Sequence, residues 1–369
     1  IAGMTCDHCA VSIENNLSKL NGIQKADVSY PNGTATVSFD ESTLDKASVI
    51  EAVNETGKYQ VVGETGKEQS GEHRYSLIII GGGSAAFAAA IRTSELGGTA
   101  LIINKGLPTG GTCVNVGCVP SKTLIRTAEA FHNASHPRFE GIETTATISD
   151  FKKVIEQKRE MVRDLRQEKY VNVIKDDPSI TLIEGYGKLI QTNQVQVNNS
   201  TYTAENILIA TGASPFIPEI PGLKGAGYLT NESAYELEEL PEELVILGGG
   251  YIALENAQLF SRLGSKVTVL QRSEHVLSDQ PKELATALTG YLEEEGLTIL
   301  TNTDILEVTK TDKNRSIRFT VNGEEKKLEA DQILVATGRQ GNTGNLNLES
   351  AGIDTEGRGY IPVDETMRT

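Results

Sequence analysis

Leu77-Ile78-Ile79-Ile80-Gly81-Gly82-Gly83-Ser84-Ala85-Ala86 runs from four apolar residues through a glycine cluster into small residues. So short an apolar run ending on glycine predicts a buried strand and is far below the ~18–20 residues of a membrane span. Gly81 to Ala86 fit G-x-G-x-x-A. In that pattern the first glycine, Gly81, permits the tight turn and the second, Gly83, lets the backbone approach a pyrophosphate. The small Ala86 lets the next helix pack closely, with its N-terminus facing the phosphates. A helix over 85–96 and a strand over 100–104 complete the unit. The ribose position at the end of that strand holds Asn104, a neutral hydrogen-bonding residue where a carboxylate is usual.

The same grammar recurs further on. Leu244–Leu247, Gly248-Gly249-Gly250-Tyr251-Ile252-Ala253, a helix to Leu263 and the strand 266–270 repeat it about 165 residues later. Gly248, Gly250 and Ala253 take the three turn positions. Two such units predict an α/β chain with two Rossmann-like nucleotide-binding domains. The second strand ends Leu270-Gln271-Arg272 without an acid. An arginine there suits a 2′-phosphate and favours NADPH over NADH; the alternative is a solvent-exposed arginine.

The chain has 369 residues, enough for two or three domains. Its net charge of −16 argues against a nucleic-acid partner and against docking on anionic membranes. No leader or membrane-spanning segment is visible, so the cytoplasm is the default expectation. The four cysteines form two close pairs, Cys6/Cys9 and Cys113/Cys118, which is not a secreted disulfide framework.

Gly110-Gly111-Thr112-Cys113-Val114-Asn115-Val116-Gly117-Cys118-Val119-Pro120-Ser121-Lys122 carries the second pair. The spacing lets the two sulfurs share one face and the Cα atoms approach within the ~7 Å that a disulfide needs. Two unrelated thiols are the alternative. This stretch resembles the active-site signature of the pyridine nucleotide-disulfide oxidoreductases. The motif order agrees: glycine turn, cysteine pair, Ala210-Thr211-Gly212, second glycine turn, Ala336-Thr337-Gly338-Arg339. The resemblance covers the chain from about residue 75 onward.

It implies an FAD- and NADPH-dependent oxidoreductase in which hydride passes to the flavin and the reduced flavin opens a Cys113–Cys118 disulfide. Cys118 would be the thiolate nearer the flavin and Cys113 would meet the substrate. Lys122 would lie near the flavin and pair with Glu255, although Glu255 also reads as an ordinary surface carboxylate. Tyr251 would cover the nicotinamide pocket. By matched position Ala86, Gly106, Thr112, Lys122 and Gly187 would line the FAD site, and Thr211, Gly212 and Gly338 are carried over as cofactor-binding.

Gly3-Met4-Thr5-Cys6-Asp7-His8-Cys9 resembles the metal loop of heavy-metal-associated domains. Two thiolates this close suit a soft ion in near-linear geometry; zinc would want four ligands. His8 reads as a loop residue, and a thioredoxin-like redox motif is the competing reading. A helical pattern (Val11, Ile13, Leu17, Leu20), strands over 26–30 and 34–39 joined by Pro31-Asn32-Gly33, a second helical pattern (Leu44, Val49, Ile50, Val53) and a strand over 59–62 predict a small ferredoxin-like α+β domain.

The expected organisation is therefore a metal-binding domain over 1–63 with its first strand largely missing, and a linker over 64–73. An FAD domain over 74–235 and an NADPH domain over 236–345 follow, and 346–369 begins a return to the FAD domain. A dimerisation domain and a further metal-entry cysteine pair are expected beyond the last residue. A metal-binding domain joined to such a core resembles the mercuric reductases. That resemblance implies Hg(II), free or thiol-bound, as substrate at Cys6, Cys9, Cys113 and Cys118, and a homodimer in the whole protein. A disulfide or dihydrolipoamide oxidoreductase, and a metal carrier on a redox-inactive scaffold, stay open as alternatives.

Overall fold

Every position of strand Ala100–Asn104 is buried, as are the last three of Arg74–Ile80, the mark of strands covered on both faces. The structure, a computed structural model, describes residues 1, 4, 7–30, 33–40, 43–54, 58–61, 74–137, 139–312 and 314–369, with Asp7 and His8 as backbone only. Contacts divide the chain into two units, Ile1–Gly71 and Glu72–Thr369.

In the first unit, helix Asp7–Leu17 precedes an antiparallel pair, Ile23–Ser29 with Thr34–Phe39, and helix Lys46–Asn54 follows. Ala10, Ile13 and Leu17 form the buried stripe and pack with Val28, Val49, Val53 and Tyr59. Val11 is half exposed. It sits off the stripe that Ala10, Ile13 and Leu17 define at helical spacing, so its place in the apolar pattern does not extend to the core. Of the strand expected over 59–62, only Gln60 makes a bridge among the described residues. Pro31, Asn32 and the linker 64–73 lie outside the described residues.

The second unit holds two parallel sheets. In the first, Ile180–Glu184, Ala100–Asn104, Arg74–Ile80 and Ser200–Ile209 lie parallel, and Gln194–Val197 and Lys188–Gln191 extend it antiparallel. In the second, Thr298–Leu300, Lys266–Leu270, Glu243–Leu247 and Gln332–Val335 are all parallel. A three-stranded antiparallel sheet, Thr303–Lys310, Arg315–Val321 and Glu324–Ala330, packs beside it through Ile317, Phe319 and Ile333. Residues after the short strand Arg339–Gly341 return to the first sheet, where Leu346 and Leu348 share a core with Ile78, Leu101 and Val195.

Candidate active site

Both glycine turns are built the same way. Gly81 has φ +127°, and a Cβ there would lie 2.1 Å from the Ala210 carbonyl oxygen. Gly248 has φ +114°, with the Ala336 oxygen at 2.4 Å. Each Ala-Thr-Gly segment thus seals the back of one turn, and only glycine fits between. The other glycine of each motif is different. Gly250 has no atom within 4 Å of its would-be Cβ, and Gly83 meets only the Gly111 Cα at 3.8 Å. Helices Ser84–Glu95 and Tyr251–Arg262 start there without a side-chain cap, so their first N–H groups stay open. Ala86 and Ala253 are fully buried beneath. An uncapped helix start facing empty space fits a dinucleotide pyrophosphate at each turn.

The cysteine loop docks directly on the first turn. Gly110 N–H donates to the Gly82 carbonyl at 2.8 Å, and a Cβ on Gly111 would stand 2.6 Å from the Gly83 Cα. The Asn115 amide donates to the carbonyls of Pro108, Thr109 and Gly111, and Arg166 holds its oxygen at 3.1 Å. Cys113 lies in the short helix Gly111–Asn115, and Cys118 opens the 18-residue helix Cys118–Ser135. Gly117 lets the chain fold back between them: its Cβ would meet the Thr112 oxygen at 2.9 Å and the Cys113 Cα at 3.4 Å. Pro120, in the first helical turn, forfeits no helical hydrogen bond.

Both cysteines are free thiols. Hydrogen bonding to Cys118, then burial, then the charge of Cys118, pushes the Cys113 thiol up. Cys118 is exposed and sits at a helix N-terminus. One turn on, Lys122 Nζ donates to Glu255 Oε1 at 2.5 Å. Glu255 lies on the helix that begins at the exposed Tyr251.

The remaining expected residues fall into distinct settings. Thr112 is part-buried next to Cys113, Thr211 is part-buried, and Gly106, Gly212 and Arg272 are exposed. Neither Gly106 nor Gly212 has an atom within 4 Å of a built Cβ. Gly187 is packed against Ile80, Ile103 and Val195, and Gly338 is approached by Arg358. Asn104 is buried, and its side chain lies 2.4 Å from a Cβ built on Gly82. Gln271 stands in the same relation to Gly249 and, like Asn104, is buried beside its turn. Gln271, rather than Arg272, is thus the counterpart of Asn104, and Arg272 is the exposed residue after it. Counting from each first glycine would have found this. Two further residues escaped sequence reading: buried Asn231, whose amide holds the Val116 carbonyl between the cysteines at 3.1 Å, and buried Tyr235. Cys9 is part-buried in the first unit's helix; Cys6 lies outside the described residues.

Comparison with known proteins agrees with this architecture. A family described as "Pyridine nucleotide-disulphide oxidoreductase" matches residues 75–369, and "Heavy-metal-associated domain" matches residues 1–59. Mercuric reductase of Staphylococcus aureus is 39% identical over all of this chain and 68% of its own length. Mercuric reductase of Bacillus cereus is also 39% identical, over all of this chain and 60% of its length. Among solved structures, the HOCl-induced flavoprotein disulfide reductase RclA from Escherichia coli superposes with TM-score 0.70 at 31% identity. It covers 80% of this chain and 63% of that one. No helix among the described residues is long and apolar enough to cross a membrane.

Proposed function

Because the chain belongs to the pyridine nucleotide-disulphide oxidoreductase family, we propose that it carries the electron-transfer core of a mercuric reductase. The reaction is NADPH plus Hg(II) giving NADP⁺, a proton and Hg(0), two electrons in all. The observation that carries this reading is the cysteine loop docked on the first glycine turn, in a chain whose first 59 residues match a heavy-metal-associated domain.

FAD, when bound, supplies a two-electron carrier between nicotinamide and sulfur. Gly81, Gly83 and the start of the Ser84–Glu95 helix hold its pyrophosphate; Gly248, Gly250 and the Tyr251–Arg262 helix hold that of NADPH. Arg272 selects the 2′-phosphate, and Tyr251 covers the nicotinamide pocket. Lys122, oriented by Glu255, would lie on the flavin side of Cys118. Cys113 Sγ is the sulfur that meets substrate. Both thiols lose their protons on binding the soft Hg(II). Residues 74–235 serve as the FAD domain and 236–345 as the NADPH domain. Cys6 and Cys9 bind Hg(II), and the whole protein works as a cytoplasmic homodimer on free and thiol-bound mercury.

The test is NADPH oxidation by the whole protein with Hg(II), lipoamide or glutathione disulfide as acceptor. Mercury-dependent consumption is expected. Turnover only with an organic disulfide would replace this reading with a disulfide reductase.

A further inference from the structure

A cleft of about 390 Å³ opens beside the cysteine loop. Lys158, Arg159, Arg163 and Arg166 line it, and Glu236 is the single carboxylate among its lining residues. Positions 158, 159, 163 and 166 fall on one side of the helix Phe151–Arg166. Such a concentration of cations stands out in a chain of net charge −16. Arginines late in a helix often serve the negative pole of its dipole. That cause does not apply here, because the helix runs on through Gln167–Val171 and Asn172–Asp176.

Two of the cations are satisfied. Glu236 accepts from the buried Lys158 and, at 2.7 Å, from Arg159, which also reaches Glu238 at 3.2 Å. The other two are not. Arg163 has only exposed contacts, to Glu160 at 3.4 Å and Asp164 at 3.8 Å, and pairs of that kind hold weakly. Arg166 is part-buried and has no ion-pair partner among the described residues. Its Nη1 donates to Asn115 Oδ1 at 3.1 Å, which commits one of its five N–H groups. A planar fork with open donors beside a cleft suits a carboxylate, sulfate or phosphate group, each of which accepts two parallel N–H bonds. The same arginine is joined to the cysteine loop by hydrogen bonds. The Asn115 amide donates to the carbonyls of Pro108 at 2.9 Å and Gly111 at 2.8 Å, and Gly110 N–H holds the Gly82 carbonyl at 2.8 Å. Cys113 lies inside the short helix that Asn115 closes.

We propose that this cleft is a binding site for a small oxyanion, seated on Arg166 and Arg163, and that its occupancy firms the Gly111–Asn115 helix through Asn115. An anion on the outer edge of the Arg166 fork orders the guanidinium, and the Asn115 side chain loses freedom with it. The proposed reaction makes no use of the site, whatever its substrate.

The experiment titrates the full chain with sulfate, phosphate and acetate at constant ionic strength in sodium chloride. FAD and NADP⁺ are present in excess, so that the glycine turns are not counted as anion sites. Calorimetry should show saturable binding. Arg166→Gln should weaken it by about tenfold to a hundredfold, the worth of a charge-assisted hydrogen bond. Arg163→Gln leaves the Asn115 contact intact and should weaken it severalfold, which keeps the test decisive if Arg166→Gln does not fold. Arg318→Gln, on the antiparallel sheet, should bind as the parent does. Preference for acetate would mark a carboxylate ligand and preference for sulfate or phosphate a tetrahedral one; either supports the site. Saturating anion should also slow amide hydrogen exchange in the 108–116 peptide of the parent. No saturable binding, equal affinity in all three variants, or exchange that does not respond to the bound anion would overturn the proposal. Flavin bleaching by NADPH is untouched by these outcomes and tests the redox reading separately.

Discussion

Lys122 and Glu255 meet at 2.5 Å across two helices, one beginning at Cys118 and the other at Tyr251. The ion pair thus ties the segment that carries the sulfur to the helix that follows the second glycine turn. Both side chains are about half exposed, at 56% and 43%. A pair this open contributes little to stability, at most about 1 kcal/mol. Its use is to aim Lys122. Glu255→Gln should therefore leave thermal unfolding nearly unchanged while slowing NADPH-driven bleaching of the flavin on the order of 10- to 100-fold. Stopped-flow absorbance decides it, and an unaltered rate would make Glu255 an ordinary surface carboxylate.

The second turn separates folding from binding. Gly248→Ala drives a methyl to 2.4 Å from the Ala336 oxygen at φ +114° and should prevent folding of the second sheet. Gly250 has an ordinary φ of −83° and open space around it. Gly250→Ala should fold with a Tm close to that of the parent and yet weaken NADPH binding, because the methyl occupies the pyrophosphate approach. Unchanged affinity by fluorescence titration would remove the pyrophosphate from this turn.

Discrimination between the two nicotinamide cofactors is expected to rest on the exposed Arg272. Arg272→Ala should raise the KM for NADPH far more than that for NADH, because the proposed guanidinium contact to the 2′-phosphate is lost. Equal effects on the two cofactors would end that assignment.

A buried ion pair gives a pH-dependent stability. The Lys158 side chain is 1% exposed and pairs with Glu236, which also accepts from Arg159 at 2.7 Å. Burial holds the Lys158 ammonium below its ordinary value despite Glu236. Burial alone would raise the Glu236 carboxyl, but Lys158 and Arg159 outweigh it and hold it below the ordinary 4.5. A lowered carboxylate stabilises the fold above its unfolded value, and that stabilisation disappears as pH falls through the folded one. Glu236→Gln should cost roughly 1–3 kcal/mol at neutral pH, a range discounted because Glu236 is itself about half exposed. The gap between the two proteins should close on acidification below pH 4.5. Thermal unfolding across pH checks this, and a gap independent of pH would contradict it.

Much of the second unit was legible because the strands before Gly81 and Gly248 end as apolar runs that stop on glycine, and each is followed by a helix and a second strand. The strands 100–104 and 266–270 occur as expected, and 244–247 starts one residue earlier, at Glu243. What the sequence could not supply is contact between distant segments. Nothing in Ala210-Thr211-Gly212 says that its first carbonyl backs Gly81, or in Gly110-Gly111 that they lie against Gly82 and Gly83. Tyr235 and Asn256 are 21 residues apart and carry no motif. Their pairing depends on how a short helix packs under the redox helix, which local periodicity does not encode. The π-helical turn Gln167–Val171, which brings Tyr170 to Ser84 at 2.9 Å, was hidden for the same reason.

In the proposed reaction electrons pass from NADPH through FAD to Cys113 and Cys118 and on to mercury. The most direct measurement is an anaerobic NADPH titration of the FAD-loaded whole protein, with and without Hg(II), followed by flavin absorbance and mercury vapour. NADPH alone should bleach the flavin, and consumption should continue with Hg(II), at one NADPH for each Hg(0). The mercury-dependent part should disappear in the Cys113→Ser/Cys118→Ser variant while bleaching persists. NADPH consumption indifferent to Hg(II), or mercury reduction that survives loss of both cysteines, would contradict it.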